Sequence, residues 1–187
     1  MKLKLQTEAE IIQTYNTRMK QDFPPSELKP LKSILQLSKA GEYFCYEAYD
    51  ETGCLAYAYF MKHPKEPVML LDYFAVIETS RGQGIGSRAL TLILEQLDPE
   101  IMIIIEAEDP NRAEDEEQLQ IRERRLAFYK KNGMLLTDIV AEAFGVAFVI
   151  LLNSPCDTEK VCRCYLEIYH AMLAEKYYSY VKILSGI

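Results

Sequence analysis

The segment from Val68 to Leu94 constrains the fold most strongly, because it combines three local patterns in a fixed order. Residues 68–77 form a β-branched and aromatic run that is typical of a buried strand. The turn Arg81-Gly82-Gln83-Gly84-Ile85-Gly86-Ser87 follows, and an apolar-periodic helix is predicted over residues 84–97. A strand, a glycine-rich turn and a helix present several backbone N–H groups at the helix N-terminus, a geometry that binds anions. The segment therefore predicts an anion-binding site.

The flanking segments predict an α/β chain with a mixed sheet and helices on both sides (α+β mixed sheet). Further strands are expected at 2–6, 42–49, 54–61, 101–106, 134–141 and 146–152. Further helices are expected after Thr7, from Ser26 to about residue 39, at 119–131 and at 157–184. We interpret residues 1–187 as one domain, with a core over about 1–153 and a C-terminal helix over about 157–184.

The amino-acid composition limits the kinds of binding partner and the compartment that we expect for this chain. The 187 residues carry a net charge of −7, which argues against a nucleic-acid binder that works by bulk charge. No run approaches the roughly 20 apolar residues of a membrane span, and the N-terminus lacks the apolar run of a signal peptide. The five cysteines are therefore predicted to be reduced thiols of a cytoplasmic protein. Cys162 and Cys164 point to different sides of a helix, so no metal site is expected.

The glycine-rich turn can be interpreted in three ways that are already known for such sequences: a P-loop, a dinucleotide-binding turn or an ordinary structural turn. A P-loop is excluded, because no Lys followed by Ser or Thr stands at the required spacing. Gly84, Gly86 and Ala89 satisfy a dinucleotide fingerprint, with Glu106 about twenty residues further on. Residues 78–83 separate that pattern from its strand, however, and a predicted hairpin precedes it. An ordinary structural turn is the third alternative.

Another interpretation of the turn fits better, because three sequence motifs occur together in a fixed order along the chain. The turn Arg81-Gly82-Gln83-Gly84-Ile85-Gly86 resembles the Arg/Gln-x-x-Gly-x-Gly/Ala signature of the GNAT superfamily, the acetyl-CoA-dependent N-acetyltransferases. Leu71-Asp72-Tyr73-Phe74-Ala75-Val76 looks like that family's fourth strand, and Phe128-Tyr129-Lys130-Lys131-Asn132-Gly133-Met134 resembles its second motif, Tyr-x-x-x-Gly-Phe. The resemblance covers about residues 41–152. It implies a GNAT-type fold with an extra C-terminal helix, and acetyl-CoA or CoA as the co-substrate.

The resemblance also implies which residues bind the coenzyme and which take part in the reaction. The residues expected to bind coenzyme A are Phe74, Ala75, Val76, Arg81, Gly82, Gln83, Gly84, Ile85, Gly86, Ser87 and Arg122. The N–H of Val76 is expected to polarise the thioester carbonyl, and Tyr129 to protonate the leaving thiolate. Three carboxylates remain open as the general base: Glu106, Asp72 and Glu108. Arg122 occupies a position at which many members of that family have Asn. Two explanations stay open: the arginine contacts the phosphates of the coenzyme, or it belongs to a solvated charged face of the helix.

The expected reaction is transfer of acetyl to a primary amine of a small molecule or peptide, by direct attack in a ternary complex. One alternative is a non-catalytic acyl-CoA-binding or sensing protein on the same fold. Another is a partner-binding module led by the tyrosine-rich C-terminal helix. We interpret the tyrosines of that helix mainly as packing residues, with a homodimer interface as the other option; they are Tyr165, Tyr169, Tyr177, Tyr178 and Tyr180.

Overall fold

A computed structural model describes residues 1–25 and 27–186. The chain forms two compact units, one of Met1–Met61 with Asp72–Asp98, the other of Lys62–Leu71 with Pro99–Ile187. Within the described residues, eight strands follow one another by hydrogen bonding in the order β1-β2-β3-β4-β5-β7-β6-β8. The predicted mixed sheet is therefore confirmed.

The first unit contains three antiparallel strands, β1 (Lys2–Leu5), β2 (Tyr43–Asp50) and β3 (Gly53–Lys62), and the end of β4 (Val68–Val76). Its helices are α1 (Glu8–Thr14), a π-helical turn (Tyr15–Met19), α2 (Lys20–Asp22), α3 (Leu31–Lys39) and α4 (Ile85–Gln96). A short 3-10 turn, Glu78–Ser80, precedes α4. The predicted strand, glycine turn and helix thus all form.

Two helix starts in this unit show how local chemistry sets a boundary. Thr7 caps α1 in a capping box, since its hydroxyl accepts from the N–H of Glu10 and the Glu10 carboxylate accepts from the N–H of Thr7. The predicted start of the next helix, Ser26, lies outside the described residues. The helix itself, α3, begins at Leu31, because Pro30 adopts an extended ψ of 133° and is its N-cap. Residues 27–30, which the prediction included in this helix, are therefore not helical.

The second unit is built around β5 (Met102–Glu108). Residues Val68–Leu71 of β4 pair with it in parallel, from Val68↔Met102 to Leu71↔Ile105. On its other side lies β7 (Val146–Leu152), followed by β6 (Leu135–Ala143) and β8 (Val181–Ser185), all antiparallel. The unit also contains α5 (Glu116–Lys131), α6 (Thr158–Met172) and 3-10 turns at Pro110–Arg112 and Glu175–Tyr180. The strand β5 is buried and lies in the interior of the sheet.

The C-terminal segment differs from the prediction. The expected helix over 157–184 ends at Met172, where Leu173 turns extended at φ −110° and ψ 152°. The chain then makes a 3-10 turn and returns as β8, which pairs with β6 through contacts such as Ala143↔Val181. The three- and four-residue spacing of apolar side chains continues through both segments. The prediction was wrong because that spacing also fits a helix. The segment forms a strand instead, because its backbone groups pair with those of β6.

Some features concern the whole described chain. Across residues 1–25 and 27–186, no helix has the length and apolar character needed to cross a membrane. All five cysteines are free thiols. No group of three or more His, Cys, Asp or Glu side chains in the same ranges is arranged to hold a metal ion.

Candidate functional site

The glycine turn exposes the N-terminus of α4. Gly82 and Gly84 adopt positive φ angles of 76° and 72°, a conformation that L side chains rarely take. The first helical hydrogen bond runs from the N–H of Arg88 to the carbonyl of Gly84 at 3.2 Å. The N–H groups of residues 85–87 thus lie ahead of the helical ladder, where the helix dipole attracts an anion.

Space for a ligand exists beside these N–H groups. Apart from each glycine and its two chain neighbours, no described heavy atom lies within 4 Å of the position that a Cβ would occupy at Gly82 or Gly84. Glycine is therefore required at both positions by the backbone conformation rather than by crowding within the chain. Arg81 to Gly84 are exposed, so the turn fits a pyrophosphate that approaches from solvent.

A shared hydrophobic cluster fixes the turn relative to the end of β4. Phe74 and Val76 pack against a buried group that includes Ile85 and Ala89 from α4. Arg81 adds a polar link, since its Nε donates to the carbonyl of Val76 at 3.0 Å. The strand end predicted to bind the pantetheine arm and the turn predicted to bind the pyrophosphate are thus joined by packing.

Arg81 also makes an ion pair that the sequence did not indicate. Its Nη2 lies 2.7 Å from Oδ1 of Asp22, and Oδ2 of that carboxylate accepts from the Tyr57 hydroxyl at 2.9 Å. A cavity of about 180 Å³ adjoins the pair, lined by Arg18, Gln21, Asp22, Ile77, Glu78 and Arg81. The Arg81 side chain is 54% exposed, so its guanidinium is accessible to a phosphate as well.

Asp72 lies in a polar cluster of the first unit. Its Oδ1 lies 2.6 Å from the ammonium of Lys29, and its Oδ2 accepts a hydrogen bond from the Tyr43 hydroxyl. The carboxylate is only 5% exposed, and the Lys29 ammonium also lies 5.3 Å from the centre of the Tyr73 ring. Both oxygens of Asp72 are therefore engaged by groups of the chain itself, and neither Lys29 nor Tyr43 was singled out as its partner from the sequence.

The other two candidate bases lie on β5 in the second unit, two residues apart and therefore on one face. Glu106 accepts hydrogen bonds from Tyr165 and Tyr169 of α6. Glu108 instead pairs with arginines of α5: Arg125 contacts Oε2, and Nη2 of Arg122 lies 3.5 Å from Oε1. The two carboxylates thus have different surroundings, hydroxyl donors for one and guanidinium groups for the other.

Arg122 is held largely by its own unit. Besides Glu108, its guanidinium donates to the carbonyl of Asp109 at 3.0 Å and to the side chain of Gln118 at 3.2 Å. Its side chain is 12% exposed. These contacts explain how an arginine is accommodated at this position of α5, and its role toward the coenzyme stays a prediction.

Tyr129 is buried near the end of α5, where Asn132 and Gly133 terminate the helix. Burial raises the pKa of its hydroxyl to about 12, and the nearby charge of Arg125 opposes that rise. The hydroxyl is protonated at neutral pH and holds its proton more tightly than an exposed tyrosine does. The N–H of Met134 bonds to the carbonyl of Tyr129 at 3.1 Å, which fixes the second motif at the helix end.

A sequence profile of the Acetyltransferase (GNAT) family matches residues 9–134, more than half of the chain. The chain belongs to the GNAT family of acetyltransferases. It is accordingly an acyltransferase, with acetyl-CoA as the acyl donor. The predicted family, fold class, enzyme class and co-substrate are confirmed, and the dinucleotide interpretation of the turn is wrong.

Solved structures with low sequence identity share this fold. A protein from Bacteroides thetaiotaomicron assigned to the GNAT family superposes with a TM-score of 0.71 at 20% identity, covering 95% of this chain and 98% of that one. An aminoglycoside 6′-N-acetyltransferase complexed with coenzyme A gives 0.59 at 12% identity over 84% and 99%. The ribosomal-protein-S18-alanine N-acetyltransferase from Escherichia coli gives 0.57 at 13% over 83% and 96%. No curated protein sequence matches the chain significantly.

Proposed function

We propose that this GNAT protein acts as one domain that transfers acetyl from acetyl-CoA to a primary amine of a small molecule or peptide. The observation that carries the proposal is the turn Arg81–Ser87, which combines two positive-φ glycines with the open N-terminus of α4. Two proteins of similar fold support an amine acceptor, since their names describe N-acetylation of an aminoglycoside and of a protein alanine.

In this proposal the glycine turn and the end of β4 bind the coenzyme. The N–H groups of residues 85–87 bind the pyrophosphate, and Gly82 and Gly84 hold the turn in the required conformation. Arg81 adds a charge-assisted contact when its guanidinium turns toward a phosphate. The end of β4, residues 74–76, carries the pantetheine arm, and the N–H of Val76 polarises the thioester carbonyl.

Tyr129 and Glu106 are the residues proposed for the proton chemistry. Tyr129 gives its proton to the departing thiolate, since its hydroxyl carries a proton at neutral pH. Glu106 is our choice of general base. Asp72 contacts the ammonium of Lys29 and Glu108 contacts two guanidinium groups, whereas Glu106 accepts hydrogen bonds from the hydroxyls of Tyr165 and Tyr169.

We further propose direct attack of the amine rather than a covalent acyl-enzyme. A cysteine nucleophile acts as the thiolate. Burial raises the pKa of Cys54 to about 12, and it raises the pKa of Cys45, Cys162 and Cys164 as well. These thiols are therefore protonated at neutral pH and poorly suited to attack a thioester.

Calorimetric titration with acetyl-CoA and with CoA tests the binding step, and intact-protein mass spectrometry tests the chemical route. We expect saturable binding of both ligands and no acetylated protein when acetyl-CoA is added without an amine. Absence of binding would remove the basis of the proposal. A stable acetyl adduct that an amine then discharges would replace direct attack with a two-step route.

A further inference from the structure

One face of α6 presents two tyrosine hydroxyls to one carboxylate of β5. The Tyr165 hydroxyl donates to Oε1 of Glu106 at 2.6 Å, and the Tyr169 hydroxyl lies 2.9 Å from Oε1 and 3.0 Å from Oε2. Residues four apart lie on the same side of a helix, so the shared target follows from their spacing. The two rings are 1% and 6% exposed, with centroids 5.0 Å apart.

These contacts affect both the charge and the orientation of Glu106. An ionised carboxylate only accepts hydrogen bonds, and donated bonds favour the ionised over the protonated form. Burial, followed by the charge of Glu106, raises the pKa of Tyr165 well above its ordinary range, so this hydroxyl keeps the proton that it donates. Contacts to both oxygens also restrict rotation of the carboxylate plane.

The helix that carries the two tyrosines is anchored within the second unit. The buried His63 bonds through Nε2 to Oε2 of Glu167 at 2.8 Å, and Arg163 lies 3.3 Å from Glu66. Glu167 stands between Tyr165 and Tyr169 along α6. The tyrosine face of the helix is therefore held against β5 by contacts on its neighbouring residues.

The two tyrosines of this arrangement lie outside the part of the chain that the family profile matches. The family profile ends at residue 134, whereas α6 begins at Thr158. The two tyrosines thus lie beyond the matched segment, whereas Glu106 of β5 lies within it.

We propose that Tyr165 and Tyr169 are positioning residues that keep Glu106 ionised and oriented to take a proton from the incoming ammonium group. This inference rests on Glu106 being the general base of the proposed function. In the proton transfer, one N–H bond of the ammonium breaks, the carboxylate becomes a carboxylic acid and the amine becomes a neutral nucleophile. Both tyrosines retain their own protons throughout, so they act through Glu106 and not on the substrate.

Single substitutions to phenylalanine test this role, because they remove a hydroxyl and keep the ring. In Tyr169→Phe and Tyr165→Phe, we expect the pKa of Glu106, followed by ¹³C NMR of its labelled carboxyl group, to rise by about one to two units. The acid limb of kcat/KM should move to higher pH in the same variants, with KM for acetyl-CoA unchanged. Tyr178→Phe is the matched control, since its hydroxyl donates to the carbonyl of His170 at 2.9 Å.

The possible results separate this inference from the proposed function. If Glu106→Gln loses activity but the NMR pKa and the acid limb stay at wild-type values in both phenylalanine variants, the positioning role is refuted and the base assignment stands. If Glu106→Gln keeps the wild-type rate, the base assignment is wrong and the positioning role falls with it. An equal shift in Tyr178→Phe also refutes the role, since it reports a loosened helix. Tyr169→Phe alone is sufficient if the more buried Tyr165→Phe does not fold.

Discussion

Substitution of Gly84 by alanine separates the anion-binding role of the turn from its contribution to stability. Gly84 has a φ of 72°, and Gly41, which follows α3, has a φ of 74°. Apart from the glycine and its two chain neighbours, no described heavy atom lies within 4 Å of a Cβ built at either position. Alanine therefore meets no clash at either site and incurs only the left-handed backbone cost, about 1–2 kcal/mol. We expect Gly84→Ala and Gly41→Ala to lower the free energy of unfolding by similar amounts.

The two variants should differ in coenzyme binding. Relief of the strain at residue 84 reorients the N–H groups at the start of α4, and loss of one hydrogen bond to a charged phosphate costs about 1.5–3 kcal/mol. That loss corresponds to roughly a 10- to 150-fold weaker Kd for CoA by calorimetry, whereas Gly41→Ala should bind like the wild type. Wild-type affinity in Gly84→Ala, or equal weakening in both variants, would refute the assignment of the turn.

Three further outcomes follow from particular contacts. Thr7→Ala should lower the free energy of unfolding by about 1 kcal/mol in urea. The Lys4 contact and the capping box lower the pKa of Glu10 from 4.5 to about 2. Glu10→Gln should therefore destabilise the protein at pH 7, and progressively less as the pH falls through that range. His63→Ala leaves the N–H groups of residues 65 and 66 without their acceptor and should cost about 2 kcal/mol, which thermal unfolding measures. Asp22→Asn should release Arg81 and tighten CoA binding a few-fold at low salt, an effect that high salt should remove.

The predictable parts of the fold are those in which the local sequence limits the backbone. Gly82 and Gly84 indicate left-handed conformations next to a strand and a helix, and the structure has both. Thr7 and Glu10 form a capping box from residues three apart. In each case the interacting groups lie within one turn of chain, so the sequence order brings them together without help from the rest of the fold.

The unpredicted parts depend on partners that are distant in sequence. Val181 belongs to a strand because β6 supplies a partner about 40 residues earlier, although its segment also fits a helical period. The pairs Asp22–Arg81 and Glu106–Tyr169 are 59 and 63 residues apart. Tyr165 and Tyr169 do share a helical face, a signal that the sequence contains, but only the structure identifies the carboxylate opposite them.

Release of free thiol from acetyl-CoA in the presence of a panel of primary amines tests the central claim most directly. The panel should include polyamines, aminoglycosides and peptides with free N-termini. We predict amine-dependent thiol release by the wild type, and release at least about 100-fold slower in Tyr129→Phe while CoA affinity is retained. Saturable binding of acetyl-CoA without thiol release for any amine, or an unchanged rate in Tyr129→Phe, would contradict the account.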